Sequence, residues 1–202
     1  MASPGGGREG ATDVNAVVRE AVEMLSYRNL FRDVEVRLDL GETPRAAILE
    51  DRFRQVLLNL VINAVDAMKG RGTVTVRTWV MEGWSPDRRS PLRRRATDPP
   101  EMDGTKLRAA GGGTGGGVAV AVVDTGGGIP AGDLPLLFEP FFTTKEPGKG
   151  TGLGLSVSRT IVEGAGGEIR AVSEEGRGAT FLVVLPSARG TAGSGGEEGI
   201  HG

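Results

Sequence analysis

The chain has 202 residues, with 24 Lys or Arg against 26 Asp or Glu, and so a net charge near −2. That length suits one domain with a core needing no covalent staples, and the balanced charge argues against a general nucleic-acid binder. Cys is absent and the single His is His201, which excludes disulfides, thiol nucleophiles, thiolate metal centres and a Ser-His-Asp set in the body of the chain.

Glycine-rich Met1–Gly10 and Ser187–Gly202 read as disordered tails, since small polar residues bury too little to offset chain entropy. The domain is expected over residues 11–186. Within it, Val14, Val17, Val18, Ala21, Val22 and Leu25 recur at helical spacing, with Thr12 or Asp13 available as N-cap. Val34–Leu40 alternates as a half-buried strand, and Ala46–Leu49 reads as a short one. Asp51–Lys69 is a strong helix that ends before Gly70. Thr73–Val80 and Val118–Val123 are Val-rich strands. The stretch between them, Met81–Gly117, holds an arginine cluster (Arg88, Arg89, Arg93, Arg94, Arg95), four prolines and a Gly-rich end. It reads as a disordered insert with no part in ligand binding. Leu153–Glu163 is a second strong helix, closed by Gly164, Gly166 and Gly167. Glu168–Ser173 and Ala179–Leu185 form a final hairpin. Helices inserted between neighbouring strands predict an α+β fold, a two-layer α/β sandwich whose mixed sheet is covered on one face by helices. No apolar run approaches the roughly 18 residues that cross a bilayer, and the start lacks an apolar signal core. No direct membrane insertion and a cytoplasmic location are therefore expected.

Three segments carry chemistry. On Asp51–Lys69, Gln55, Asn59, Asn63 and Asp66 form a polar stripe beside the apolar face. It is a solvent face or a site; Asn is a poor helix former, and an amide oxygen suits a hard cation such as magnesium beside phosphates. The strand Val118–Val123 runs into Asp124-Thr125-Gly126-Gly127-Gly128-Ile129-Pro130. That sequence is a simple capped turn, or a carboxylate acceptor for the adenine amine beside a bare backbone. Guanine, with a carbonyl oxygen at that place, would be repelled. Lys149-Gly150-Thr151-Gly152-Leu153-Gly154-Leu155 leads directly into a helix, whose N-terminal N–H groups and partial positive charge suit phosphate. The dinucleotide and P-loop patterns do not fit. A fourth segment, Leu137–Lys145, concentrates Phe residues. It is a satellite core, or a hydrophobic patch beside a mobile lid.

In this order, the four segments resemble the ATP-binding catalytic domain of bacterial sensor histidine kinases, most of all the nitrogen-regulator type. That family belongs with the topoisomerase, heat-shock chaperone and mismatch-repair ATPases. Gln55–Met68 resembles its N box, Asp124–Pro130 its first glycine box, Leu137–Lys145 its F box, Gly148–Leu155 its second glycine box, and Gly178–Pro186 its closing strand. The resemblance implies the Bergerat fold, ATP and Mg²⁺ as ligands, and γ-phosphoryl transfer to a histidine. Asn63 would hold the metal and Asn59 would lie near the phosphates, with Asp66 on the same stripe. Asp124 would bind the adenine amine, helped by Thr180, while Gly126, Gly128 and Ile129 shape the base pocket. Gly150, Thr151, Gly152, Leu153, Gly154 and Leu155 would frame the triphosphate, with Lys145 and Lys149 near the lid. Hydrolysing relatives carry Glu where Asn59 stands, and an amide is no general base, so slow hydrolysis and transfer to an external nucleophile are expected. The acceptor histidine would lie on a dimerisation domain not present in this chain, with a response regulator as an indirect partner. Two alternatives stay open on the sequence: a nucleotide-dependent binding module, and a serine kinase of the anti-sigma type. The family's frequent His near Ala165 is missing.

Overall fold

The structure, a computed structural model, describes residues 10–27, 30–31, 33–84, 116–145 and 150–188. Helix α1 spans Val14–Tyr27 and buries Val14, Val17, Val18, Ala21 and Leu25. Its cap is Asp13, whose Oδ1 accepts the N–H groups of Asn15 and Ala16 at 3.0 and 3.1 Å. Thr12 serves a different end: its hydroxyl donates to Ile48 O at 2.6 Å, and its backbone pairs with Ala46. Ala46–Leu49 is not a strand. Ala46 makes only isolated bridges, to Thr12 and Ser187, and so pins the start of the domain to its end.

Strand β1 (Val34–Leu40) leads into helix α2 (Glu50–Ala67), and α2 into strand β2 (Gly72–Glu82). β1 and β2 are parallel, with α2 as their crossover, while the remaining pairs are antiparallel. β3 (Gly116–Asp124), α3 (Gly154–Gly164), β4 (Glu168–Ser173) and β5 (Ala179–Pro186) complete the order. Among the described residues the sheet runs β1-β2-β3-β5-β4.

Helices and sheet share one large core. Phe53, Val56, Leu57, Leu60, Val61 and Ala64 of α2 meet Val74 and Val76 of β2, Val118, Val120 and Val122 of β3, and Phe181, Val183 and Leu185 of β5. The period of two along each strand sends the alternate residues to the opposite face. There Met81, Trp84, Ala119, Ala121, Leu182 and Val184 form a second, smaller apolar cluster, with Trp79 and Val123 against it.

That second cluster corrects the boundaries of the insert. Met81 and Glu82 pair with Gly117 and Gly116, so both ends of Met81–Gly117 belong to the sheet. Gly117 is closely covered: a Cβ there would lie 3.0 Å from the Trp84 ring and 3.1 Å from Val184, tight enough that these side chains would have to shift. Residues 85–115, including the arginine cluster, lie outside those described. The domain also runs past residue 186, since Ser187 N donates to Gly116 O and Ala188 N to Arg45 O. No described helix is long and apolar enough to cross a membrane.

Candidate functional site

A cavity of about 750 Å³ opens between α2, the end of β3, the Phe-rich segment and the start of α3. That volume is within the usual range for a small-molecule ligand. Asn59, Asn63, Asp66, Asp124, Gly128, Ile129, Lys145, Gly150, Thr151, Gly152, Gly154 and Leu155 all line it. Residues far apart in sequence therefore converge on one volume.

The polar stripe of α2 grades from half-buried Asn59 and Asn63 to exposed Asp66 and Gln55. Asn59 is held by its nitrogen: Nδ2 donates to Gly154 O at 3.1 Å and to Ser158 Oγ at 3.2 Å. Ser158 is fully buried and itself donates to Gly154 O at 2.8 Å. The two Asn59 bonds clamp α2 to the first turn of α3, and the Ser158 bond, internal to α3, orients the hydroxyl that receives one of them. Asn63 is used by its oxygen, which accepts from Lys145 Nζ at 3.3 Å. The same ammonium reaches Asp66 Oδ2 at 2.6 Å.

Asp124 ends β3 and is 3% exposed. Its Oδ1 accepts the N–H groups of Gly126 at 2.8 Å and Ala179 at 3.2 Å. Burial raises the carboxyl pKa above its ordinary value, and these two N–H donors oppose the shift without cancelling it. Gly126 does not line the cavity; it acts through that bond. The acidic turn is tied to the β4–β5 hairpin by Gly176 N to Gly127 O at 2.7 Å and by Ile129 N to Ser173 Oγ at 2.9 Å. Gly128 makes the approach possible. Its φ is +70°, and a Cβ there would stand 2.1 Å from Glu174 O.

The Phe-rich segment divides its three rings. Phe138 and Phe142 pack against the main core, whereas Phe141 is 74% exposed. Phe141 adopts φ +68°, which is costly for a residue with a Cβ. Its N–H donates to Gly152 O at 3.0 Å. Gly152, at φ +65°, lies so close that a Cβ would meet the Phe141 carbonyl carbon at 2.4 Å. The Phe-rich segment and the glycine loop thus touch backbone to backbone. α3 begins at Gly154 with no side-chain cap, so its first-turn N–H groups stay available beside the cavity.

Besides Gly126, two expected residues fall elsewhere. Thr180 does not line the cavity, because strand alternation gives that place to its neighbours Ala179 and Phe181. Thr180 shares the face of Leu182 and Val184. Leu153 is the residue before α3, 38% exposed and outside the lining. Lys149 lies outside the described residues. Sequence reading missed Ser158, whose signal was a polar residue one turn after Gly154 on the inner face of α3. It also missed the apolar wall supplied by Ile62 and Phe181.

Comparison with known proteins gives the family and the fold. The sensor kinase CckA of Brucella abortus (strain 2308) is 42% identical over 181 residues, which are 87% of this chain and 16% of that protein. The sensor histidine kinase ZraS of Escherichia coli (strain K12) is 33% identical over 177 residues, 87% of this chain and 30% of that protein. This chain therefore spans less than a third of the length of these two relatives. Among solved structures, the catalytic domain of histidine kinase ThkA (TM1359) superposes with a TM-score of 0.65 at 26% identity, covering 90% of this chain and 97% of that one. Mycobacterial sensor histidine kinase MprB shares the fold, with a TM-score of 0.60 at 22% identity over 88% of this chain and 97% of that one. Residues 48–189 match the family described as histidine kinase-, DNA gyrase B-, and HSP90-like ATPase, and the chain belongs to that family, in the form found in sensor histidine kinases.

Proposed function

We propose that this domain binds ATP with Mg²⁺ and passes the γ-phosphoryl group to a histidine on a dimerisation domain outside the chain, from which a response regulator would then be served. The observation that carries the reading is the convergence on one cavity of a buried carboxylate, two amides of α2 and the open first turn of α3.

Asp124 is the acceptor for the exocyclic amine of adenine. Its Oδ1 is engaged by two backbone donors, which leaves Oδ2 for the base. Gly128 and Ile129 form the wall beside it. The first turn of α3 and the glycine loop before it face the triphosphate, where free N–H groups and the helix dipole favour anions.

The donor set fits magnesium. Asn63 Oδ1 already accepts a positive group, the Lys145 ammonium, so it is an oxygen turned toward the cavity with a cation on it. No cluster of three or more His, Cys, Asp or Glu suited to a metal is found among the described residues, and magnesium needs none when phosphates and water fill its shell. When bound, the metal neutralises charge on the phosphates. Transfer then forms a bond from an imidazole nitrogen to the γ-phosphorus and breaks the bond to the β-phosphate oxygen, releasing ADP. Such a reaction is chiefly positioning and charge stabilisation. Asn59 gives no base for activating water, so the phosphoryl group waits for an external nucleophile.

The test supplies γ-labelled ATP, Mg²⁺ and a separate histidine-bearing helical hairpin. Label on the hairpin that is stable in base and lost in acid supports the reading, and Asn63→Ala should abolish it. Label that stays on ATP, or lands on a serine, overturns it.

A further inference from the structure

The oxygen read above as the metal ligand is already in contact with a side-chain cation. Lys145 Nζ bridges Asn63 Oδ1 and Asp66 Oδ2, at 3.3 and 2.6 Å. Asn63 and Asp66 stand about one turn apart on α2, so a single ammonium reaches both. Lys145 comes from the other wall of the cavity, at the end of the Phe-rich segment. The pair is held in place without being locked: the Lys145 and Asp66 side chains retain 35% and 44% of their exposure. Ion pairs this open exchange readily with other partners.

We propose that Lys145 is a tethered cation that competes with the divalent metal for the Asn63 oxygen, while Asp66 keeps the ammonium within reach. This rests on the reading of Asn63 as a metal ligand. Two positive groups on one amide oxygen repel each other, so arrival of one drives the other off. Lys145 lines the same cavity as the glycine loop, so an ammonium freed from Asn63 has phosphate oxygens to turn to. The exchange also has a mechanical consequence. A Cβ on Gly150 would lie 2.8 Å from Thr143 Oγ1 and 3.2 Å from Lys145 Cδ. Lys145 therefore packs directly on the start of the glycine loop, and its shift away from Asn63 alters that packing. Metal loading and loop position are thereby linked through one side chain.

The test measures binding without turnover. A fluorescent, non-hydrolysable ATP analogue at fixed concentration is titrated with MgCl₂ against the full chain, Lys145→Met and Lys145→Arg. Met keeps the stem and removes the charge; Arg keeps the charge. Half-saturating Mg²⁺ should fall about fivefold in the Met variant, equivalent to about 1 kcal/mol, and stay within about twofold of the parent in the Arg variant. In excess chelator, the Met variant should bind the analogue more weakly than the parent. A midpoint that is unmoved or raised in the Met variant overturns the proposal. So does an equal loss of affinity with and without metal, which would make Lys145 a phosphate ligand only. If the parent chain binds no analogue at any Mg²⁺ concentration, the functional reading itself falls and takes this one with it, whereas normal parent binding with no midpoint shift removes this proposal alone.

Discussion

Replacing Asp124 by Asn should separate recognition from folding. The carboxylate is 3% exposed and carries two backbone N–H bonds on Oδ1. An Asn carbonyl accepts the same two bonds, so the frame around the acidic turn survives and only the buried charge is lost. Burial raises the native pKa above the ordinary 3.8. Between that value and the native one, the folded state binds more protons than the unfolded state, so stability falls as pH rises through the window. Above the window the ionised Asp124 is a standing cost to folding. Asp124→Asn should therefore keep or raise the unfolding midpoint at neutral pH and flatten the loss of stability just above pH 3.8.

Ligand binding should move the other way. With Oδ1 engaged, the Asn variant offers its Nδ2 donor to a base that also presents a donor. Losing a hydrogen bond to a charged acceptor costs about 1.5–3 kcal/mol, or about 10- to 150-fold in Kd for ATP. Guanine presents a carbonyl oxygen to the same point, so the preference for ATP over GTP should shrink or invert. Calorimetric titration with both nucleotides, run beside thermal unfolding across pH, reads each arm. An ATP affinity within about twofold of the parent would refute the adenine assignment, since far more than that is expected from the lost bond. A clear drop in the neutral-pH midpoint would refute the electrostatic argument.

Two further substitutions probe the walls of the cavity. Ser158→Ala removes one of the two acceptors of Asn59 Nδ2 and a donor to Gly154 O. It should lower stability by about 1 kcal/mol and weaken nucleotide binding by loosening α3; thermal unfolding and titration check both, and no change in either would show that the clamp is idle. Gly152→Ala puts a Cβ 2.4 Å from the Phe141 carbonyl carbon at a φ of +65°. It should abolish nucleotide binding while leaving the far core intact. Hydrogen exchange localised to residues 138–145 and 150–158 would show this, whereas unaltered affinity would refute the contact.

Much of the architecture was written in local pattern. Helical spacing gave α1, α2 and α3 to within two residues at each end, alternation gave β1, and Val-rich runs and a glycine-bounded hairpin gave the other strands. What escaped depends on partners distant in sequence. Gly116 and Gly117 look like linker, yet they are strand because Met81 and Glu82 pair with them and Trp84 covers Gly117. Ala46 looks like strand, yet it has only one-residue bridges to partners at opposite ends of the domain. Thr180 was placed by its neighbourhood in a motif, and strand parity puts Ala179 and Phe181 in the cavity instead. The Lys145–Asp66 contact spans 79 residues and has no local signature at all.

The two amides of α2 also explain why an amide, and not a carboxylate, belongs at position 59. Asn59 and Asn63 lie one turn apart and work with opposite ends: one donates through nitrogen, the other accepts through oxygen. Gly154 O and Ser158 Oγ both take a hydrogen from Asn59. A Glu carboxylate has none to give, so it would leave Gly154 O without that donor and set a negative charge beside it. The position of the α3 first turn, and with it the set of N–H groups facing the cavity, thus depends on a donor at residue 59. A general base for hydrolysis and this helix clamp are competing uses of one site on α2, and the sequence has the clamp.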